Sequence, residues 1–514
     1  MAKTFSITTA IDYTNSAPHI GHAYEKVLAD VLARYHCAKG ETVFFLTGVD
    51  QHGQKVQQSA AREGLSPALF VEGVTQKFVD LWKKLEVQYD EWAETVAPRH
   101  KDVVRGILQR LFDEGQIYKD KQAGFYSVRQ EQFLTDKERG PDGEFGPEWG
   151  QVEFREEENY YFKLNQHKAW LLQYLDQRSD AVVPAYRQIE LRNAVEKLGG
   201  DLCISRPKAR LDWGIELPFD QNFVTYVWFD ALTNYISFAG YDPSLPTFND
   251  QPLAFRDKWP ALQVIGKDIL IPAHGIYWLI MLHAIGFSDT EMPQLLVHGW
   301  WNIGGAKMSK SEGNVVDPNE LAEKYGPEAV RYYLMTDIAT GGDADFSEER
   351  LVGRFNSDLA NSLGNLLNRS LNMAHRYRGG TVKRSRADSA LAAPSAELVR
   401  RYGEAMEACQ VSAAIAAINE FVTACNTYIE INAPWKLAKD PANAAQLDEV
   451  LHALAEALRV VAIVIAPLLP TAAREIFHQL NCPEDAGLAK AGWGGLPAEH
   501  LLGKPEQLFP RIET

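Results

Sequence analysis

Two histidines and a glycine stand close together near the start of the chain, in the run from Pro18 to His22. The run follows a β-rich stretch and precedes a helical one, so a helix is expected to begin here. A helix start presents unpaired backbone N–H groups and the positive end of the helix dipole. Imidazoles can donate hydrogen bonds to phosphate oxygens, and a glycine lets a nucleotide lie close to the backbone. The run therefore predicts an anion-binding helix start.

Two lysines lie far downstream in a run of glycines and hydroxyl residues from Gly304 to Ser311. A loop of this kind can move and place two ammonium groups on a polyphosphate, with Gly304 and Gly305 as candidate hinges. Taken alone, a histidine at a helix start is more often a cap or a core residue, and a basic loop is more often plain surface. Each run by itself is therefore weak evidence of a site.

The elements around the first run form a β-α-β unit. Residues 5–11 and 42–50 are β-rich, and residues 21–38 between them have helical periodicity. A strand, a crossover helix and a second strand predict a doubly wound parallel sheet, which binds its ligands beyond the carboxyl ends of its strands. The same α/β pattern resumes at 224–236 and 261–271, where we expect strands that run into polar turns.

Two other parts of the chain depart from this pattern. Residues 116–223 contain a charged tract rich in glycine and proline, and we interpret them as an insertion between two halves of the sheet. From about residue 350 onward, Ala, Leu, Glu and Arg recur at helical spacing, which predicts an all-α bundle.

Composition excludes several classes of protein. With 46% hydrophobic and 23% charged residues among 514, the chain is globular rather than disordered or fibrous. A net charge of −16 argues against nonspecific coating of nucleic acid. No apolar run approaches the roughly 18 residues of a membrane span, and the five cysteines form no C-x-x-C pair, so we expect a cytoplasmic protein. The basic segment 376–386 is either a solvated loop or a phosphate-contacting patch.

The two runs together, His19-Ile20-Gly21-His22 and Lys307-Met308-Ser309-Lys310-Ser311, resemble the two signatures of class I aminoacyl-tRNA synthetases. Further segments are similar to the methionyl-tRNA synthetase family: 9–15, 48–53, 226–235, 265–268, 274–278 and 432–435. The resemblance implies that methionine and ATP form methionyl-adenylate and pyrophosphate, and that the methionyl group then passes to the 3′ terminal adenosine of tRNA(Met). It implies Mg²⁺ beside ATP and, since little chain follows the bundle, a monomer.

The resemblance also implies a division of the chain. Residues 1–115 and 224–300 would form the two halves of a Rossmann-like catalytic domain, and 116–223 the inserted connective domain. Residues 301–350 would carry the lysine loop and contact the tRNA stem. Residues 351–514 would form the α-helical anticodon-binding domain.

Individual roles follow from the same resemblance. The implied catalytic residues are His19, His22, Lys307 and Lys310. The residues implied for ATP are Pro18, His19, Gly21, His22, Gly266, Asp268, Lys307, Met308, Ser309, Lys310 and Ser311. Those implied for methionine are Ile11, Tyr13, Asp50, Trp228, Tyr235, His274 and Trp278, which suit a thioether slot with one carboxylate for the ammonium group. Those implied for the anticodon are Asn356, Asn361, Asn365, Arg369 and Trp435, which suit stacking and hydrogen bonding to unpaired bases.

The sequence departs from the family in three places. Leu232 stands where relatives often have proline, and the stretch before His274 is one residue longer than usual. Residues 124–143 lack the cysteines with which many relatives bind zinc, and so lack ligands for a tetrahedral site. We predict a zinc-free insertion that is held together by apolar packing instead. The residues expected to pack are Phe125, Phe133, Leu134 and Tyr161.

Two kinds of alternative remain open on the sequence. Leucine, isoleucine and valine synthetases share both signatures, although their editing insertions are longer than the roughly hundred residues available here; a cysteine enzyme would need a zinc-bound thiolate pocket. A catalytically silent paralogue that binds only RNA or protein partners would be the alternative of another class, and the intact histidines and lysines argue against it.

Overall fold

The computed structural model describes residues 4–127, 132–134, 136–140, 142–307, 315–384 and 389–513. Its strands are β1 (Phe5–Thr9), β2 (Asp12–Tyr13), β3 (Val43–Asp50), β4 (Glu91–Glu94), β5 (Ile117–Ser127), β6 (Gln132–Leu134), β7 (Val152–Phe162), β8 (Val182–Val183), β9 (Leu202–Cys203), β10 (Ser205–Pro207), β11 (Glu216–Leu217), β12 (Asp220–Thr225), β13 (Leu262–Gly266), β14 (Gln294–His298), β15 (Trp301–Ile303), β16 (Ala306–Lys307), β17 (Ala344–Asp345), β18 (Thr381–Lys383) and β19 (Glu499–Leu501).

Its α-helices are α1 (Ile20–Ala38), α2 (Gln54–Arg62), α3 (Pro67–Lys84), α4 (Pro98–Asp113), α5 (Lys168–Gln177), α6 (Ala185–Glu196), α7 (Val227–Ser237), α8 (Leu253–Arg256), α9 (Lys267–Ile269), α10 (Leu279–Ala284), α11 (Pro318–Tyr325), α12 (Pro327–Thr336), α13 (Glu348–Arg354), α14 (Asn365–Arg378), α15 (Ala392–Glu407), α16 (Val411–Asn432), α17 (Pro434–Leu437), α18 (Ala444–Ile465) and α19 (Pro470–Gln479). Phe355–Gly364 forms a wider, π-type helical segment, and Leu270–Trp278 forms another that is broken at Ile271. None of the described helices is both long enough and apolar enough to cross a membrane.

The main sheet runs β2-β3-β1-β13-β14-β8, with β4 also paired to β3, and every pairing is parallel. One face packs against a cluster that includes α1 and α3, and the other against a cluster that includes α4, α7 and α10. Because helices cover both faces, the fold is the predicted doubly wound α/β architecture.

The region between the two halves is less separate than the sequence indicated. Most of its strands form an antiparallel sheet of order β6-β5-β7-β9. However, β8 lies within the predicted insertion and pairs in parallel with β14, where Val183 is opposite Leu296. The region from 116 to 223 therefore contributes an edge strand to the main sheet.

The prediction of a strand running into a turn at 224–236 is wrong for most of that segment. Strand β12 ends at Thr225 and pairs antiparallel with β10 and β11, outside the main sheet. Helix α7 then follows, with Phe229, Leu232 and Ile236 buried against the core. Their spacing of three and four residues is helical, but the aromatic and β-branched composition favoured a strand.

The predicted all-α bundle is present from α13 onward, and the antiparallel pair of β18 and β19, which come from distant parts of the chain, packs on it. The basic segment that begins at Arg376 lies at the end of α14 and along β18. Two of its cations are already paired within the protein, since Arg378 contacts Asp448 and the Lys383 ammonium lies 3.2 Å from Glu499. Arg386, the last residue of the segment, lies outside the described residues.

Candidate active site

A cavity of about 640 Å³ lies beyond the carboxyl ends of β1, β3, β13 and β14. This is the position at which doubly wound sheets bind ligands. The sequence-predicted residues that line it are Ile11, Tyr13, His19, Gly21, His22, Asp50, Trp228, Tyr235, Gly266, Asp268 and His274. These eleven residues therefore meet around one space, although Ile11 and His274 are 263 positions apart in the sequence.

The rings of the two histidines at the start of α1 are fixed by hydrogen bonds that cap the helix. His19 Nδ1 accepts a hydrogen bond from the Gly21 amide at 3.1 Å, and His22 Nδ1 accepts one from the His19 amide at 3.0 Å. In the neutral imidazole the proton must then be on Nε2 of each ring. A Cβ on Gly21 would lie 2.9 Å from His19 Cε1, so a side chain at residue 21 would push this ring aside. The capping arrangement thus leaves Nε2–H as the donor on each ring.

At the other side of the cavity, Tyr235 and His274 form a buried pair. The His274 Nδ1 donates to the Ile269 carbonyl at 3.0 Å, so its Nε2 accepts from the Tyr235 hydroxyl at 2.7 Å. Burial lowers the pKa of His274 to about 4 and raises the pKa of Tyr235 well above its usual value. Both groups are therefore neutral at physiological pH, as a pocket for an uncharged thioether requires.

His274 lies on the wide helical segment Leu270–Trp278, which is broken at Ile271 by an extended backbone (φ −116°, ψ 120°), and it reaches the cavity wall. Trp278 is placed differently from the prediction, because it is fully buried behind Tyr235 and donates from Nε1 to Gln263 at 3.0 Å. Pro18 is likewise buried and is not part of the cavity wall.

Asp50, the candidate carboxylate for an ammonium group, is fixed by its backbone at the end of β3. Its carbonyl accepts from both the amide and the hydroxyl of Thr14 at 2.9 Å, and its side chain is nearly buried. Next to it, His52 donates from Nδ1 to Asp230 at 2.7 Å, and the other oxygen of Asp230 lies 2.8 Å from His100 Nε2. Burial alone would raise the pKa of Asp230, but the two histidines hold it well below its usual value. This carboxylate ties the loop after β3 to α7, which carries Trp228 and Tyr235.

A second buried polar cluster forms part of the cavity wall and was missed from the sequence. Lys26, on α1, contacts Asp12 at 2.5 Å and Glu25 at 2.9 Å, and Glu25 contacts His298 Nε2 at 3.0 Å. Burial raises the pKa of Asp12 to about 7 against the pull of Lys26, whereas Lys26 and His298 outweigh burial and lower the pKa of Glu25. The one available signal was the three-residue spacing of His22 and Glu25, which places both on one face of α1.

The lysine loop is described only at its base. β15 and β16 pair in an antiparallel hairpin, with Asn302 opposite Lys307. β15 begins at Trp301, which lines the cavity together with Trp300 just before it. The predicted roles of Met308, Ser309, Lys310 and Ser311, and of the Lys307 side chain, fall outside the described residues.

The predicted anticodon residues lie on the helical part of the chain. Asn361 and Asn365 are exposed, and the Arg369 guanidinium lies 6.0 Å from the centre of the half-buried Trp435 ring while also contacting Glu430 at 2.7 Å. Asn356 is different from these four residues. Its amide donates to the Ile512 carbonyl and accepts from the Ile512 amide, both at 2.9 Å, so its polar atoms hold the C-terminal segment. These two contacts give Asn356 a structural role.

The tip of the inserted region is held by aromatic and cationic contacts. Phe125 packs against Phe145 and Phe154 with ring centres 5.4 and 5.6 Å apart, and the Arg139 guanidinium lies over Phe125 and Phe145. Leu134 and Tyr161 are buried, and the Phe133 side chain lies outside the described residues. Within the described ranges, no group of three or more His, Cys, Asp or Glu side chains is placed to hold a metal ion. The zinc-free insertion stays a prediction.

A doubly wound sheet with paired histidines at the first helix start and a lysine-bearing hairpin beside the same cavity defines a class I aminoacyl-tRNA synthetase. Residues 5–142 and 149–371 match the family described as tRNA synthetases class I (M), and residues 379–514 match the anticodon binding domain of methionyl tRNA ligase. The chain belongs to the methionyl-tRNA ligase family.

Individual relatives agree along the whole chain. It is 40% identical to the methionine–tRNA ligase of Deinococcus radiodurans, over 99% of this chain and 75% of that protein, and 39% identical to that of Bacillus subtilis, over 100% and 78%. The structure of Mycobacterium tuberculosis methionyl-tRNA synthetase in complex with methionyl-adenylate superimposes with a TM-score of 0.92 at 35% identity, covering 99% of this chain and 100% of that one.

Proposed function

We propose that this protein is a methionine–tRNA ligase, which activates methionine with ATP and transfers the methionyl group to the 3′ terminal adenosine of tRNA(Met). One observation carries the proposal: phosphate donors at the start of α1 and an uncharged aromatic pocket with a nearby carboxylate line the same cavity. A protein that only bound RNA would have no need for both halves of such a site.

In the first step, a carboxylate oxygen of methionine attacks the α-phosphorus of ATP. A new P–O bond forms, the bond to the bridging oxygen breaks, and pyrophosphate leaves with that electron pair. The protein supplies no covalent nucleophile, so catalysis consists of positioning and charge stabilisation. Asp50 would hold the ammonium group, and Tyr235 with His274 would receive the thioether.

The Nε2–H groups of His19 and His22 are the donors for the phosphates. During the reaction negative charge shifts toward the leaving pyrophosphate, and these donors would stabilise it. Lys307 and Lys310 would close on the same pyrophosphate. Mg²⁺ would enter with ATP, and Asp268, which lines the cavity, would be a candidate carboxylate ligand for it. That ion would neutralise phosphate charge.

In the second step, a hydroxyl of the terminal adenosine attacks the carbonyl carbon of the adenylate, and AMP leaves. We assign anticodon recognition to Asn361, Asn365, Arg369 and Trp435. The exposed amides can pair with base edges, and Trp435 offers a face on which a base can stack. We further propose that the protein acts as a cytoplasmic monomer, with the catalytic, connective and anticodon-binding divisions given above.

The test is ATP–pyrophosphate exchange with each of the twenty amino acids, followed by charging of tRNA(Met). Methionine should support exchange at least about a hundredfold faster than leucine, isoleucine or valine, because those side chains lack the unbranched thioether that the pocket fits. Exchange with another amino acid, or none at all, would overturn the proposal.

A further inference from the structure

Lys26 is buried in the first helix and does not line the cavity, but it contacts two residues that do. Its ammonium donates to the Ala10 carbonyl at 2.9 Å, to Asp12 Oδ1 at 2.5 Å and to Glu25 Oε1 at 2.9 Å. An ammonium has three N–H bonds, so all of them are used within the protein. Lys26 is thus fixed in place before any substrate arrives.

The two carboxylates belong to different sides of the cavity. Asp12 lies on β2 between Ile11 and Tyr13, and β2 pairs with the end of β3 so that Tyr13 is opposite Asp50. This is the side proposed for methionine. Glu25 lies one turn beyond His22 on α1, the side proposed for the phosphates.

The chain of polar contacts extends from Glu25 to His298 at the end of β14. The His298 Nδ1 donates to the Gly299 carbonyl at 2.7 Å, so a proton must also lie between His298 Nε2 and Glu25 Oε2, which are 3.0 Å apart. Asp12, Lys26, Glu25 and His298 therefore form one chain of polar contacts that joins β2, α1 and the end of β14. The buried Asp12 Oδ2 has no hydrogen-bond partner among the described residues, so the chain ends at an unsatisfied acceptor beside the cavity.

We propose that Lys26 is a positioning residue that couples methionine binding to ATP binding, by holding Asp12 on one side of the cavity and Glu25 on the other. This inference rests on the proposed function. The Lys26 ammonium holds both carboxylates. A substrate that fixes the carboxylate on its own side of the cavity therefore also favours the fixed position of the carboxylate on the other side. A shift of either carboxylate breaks one of the three hydrogen bonds of the Lys26 ammonium and leaves a buried N–H without its partner.

The test measures the affinity for methionine, by titration calorimetry, with and without saturating α,β-methylene ATP and Mg²⁺. In the unmodified protein the ATP analogue should tighten methionine binding by about tenfold, within the usual range of coupling between sites. In Lys26→Met the analogue should change the affinity by less than about twofold. Asp12→Ala, which removes the other end of the link and keeps the Lys26–Glu25 contact, should lose the coupling as well.

Lys84→Met is the matched control, because Lys84 pairs with Glu323 in an exposed ion pair outside the cavity; it should keep the coupling of the unmodified protein. A role in folding alone would lower the melting temperature and weaken each substrate separately while the coupling factor stayed the same, and that result would overturn the inference. If Lys26→Met does not fold, the coupling measured in Asp12→Ala decides whether the inference holds.

Two measurements on the unmodified protein distinguish a failure of this inference from a failure of the proposed function. Failure of ATP–pyrophosphate exchange with methionine would remove the function itself. Normal exchange without any tightening of methionine binding by the analogue would overturn only the coupling.

Discussion

The cavity and the helical face proposed for the anticodon differ in how their polar groups are bonded. In the cavity, Tyr235, His274 and Asp12 are nearly buried and bonded to other protein groups. On the helical face, Asn361 and Asn365 are exposed, and the partner of Arg369 is an exposed carboxylate.

This difference fits the two kinds of ligand. A small substrate needs a site that is ordered before it binds, because each group that must be ordered on binding reduces the affinity. An RNA loop can reorganise side chains, and an exposed ion pair such as Arg369–Glu430 is worth only about 0 to 1 kcal/mol, so exchanging it for RNA costs little. We therefore expect changes in the cavity to affect chemistry and stability, and changes on the helical face to affect tRNA alone.

The largest expected effect is on the chemical step. Lys310→Ala should slow adenylate formation by about a hundredfold or more with little change in methionine affinity, since this contact tightens in the transition state. Pyrophosphate exchange measures it. Lys383→Ala, which removes a cation of the helical domain, should remain within about twofold of the unmodified rate. A near-normal rate for Lys310→Ala would contradict its assignment.

A second prediction concerns pH and the buried histidine. Between pH 6.5 and 4 the unfolded chain takes up a proton at His274 that the folded protein, with its pKa near 4, does not. The free energy of unfolding therefore falls as the pH falls through this window, by roughly 3 kcal/mol from this group. Denaturant unfolding of the unmodified protein and of His274→Gln measures this. The difference between their free energies of unfolding should shrink by that amount between pH 7 and pH 4. A difference that does not depend on pH would show that His274 is not held neutral.

A third prediction tests the helical face. Trp435→Ala should raise the KM for tRNA by roughly 10- to 100-fold, the loss expected for one base stack, and leave adenylate formation unchanged. Aminoacylation and pyrophosphate exchange separate the two effects. Arg401→Ala, at an exposed ion pair between α15 and α16, serves as the control. Equal losses in both assays would remove the distinction between the two regions.

The smallest effect is expected at Asn356. Asn356→Ala should lower the free energy of unfolding by about 1 to 2 kcal/mol, because two hydrogen bonds to Ile512 are lost. The KM for tRNA should change by less than about twofold. A tenfold rise in KM with unchanged stability would restore Asn356 to the anticodon site.

The sequence was most informative where function constrains spacing. The β-α-β start, with β1 at Phe5–Thr9, α1 at Ile20–Ala38 and β3 at Val43–Asp50, agrees with the predicted elements to within a few residues. The parallel order of the sheet follows from this unit, because a crossover helix joins parallel strands. The segment at 224–236 was misjudged because aromatic residues pack equally well on a strand and in a buried helix.

The candidate site divides in the same way. Recognisable runs in the sequence pointed to histidines and aromatic residues that line the cavity, and to lysines whose roles stay predictions, but not to Asp12, Lys26 or His298. Their roles depend on three-dimensional neighbours, since His298 lies 273 positions from the Glu25 that it contacts. Asn356 was assigned to RNA recognition by its residue type, and its partner in the structure, Ile512, lies 156 residues away and could not be read from the sequence.

The pairing of β8 with β14 restricts how the chain can be shortened. Deleting the whole region from 116 to 223 would remove Val182 and Val183 and uncover one side of β14, a strand whose residues Leu295, Leu296 and Val297 are fully buried. A bare apolar edge of this kind recruits other chains and aggregates. A minimal version of the enzyme should therefore be trimmed only in the distal part of the β5–β7 hairpin, and the return through β8 should be left intact.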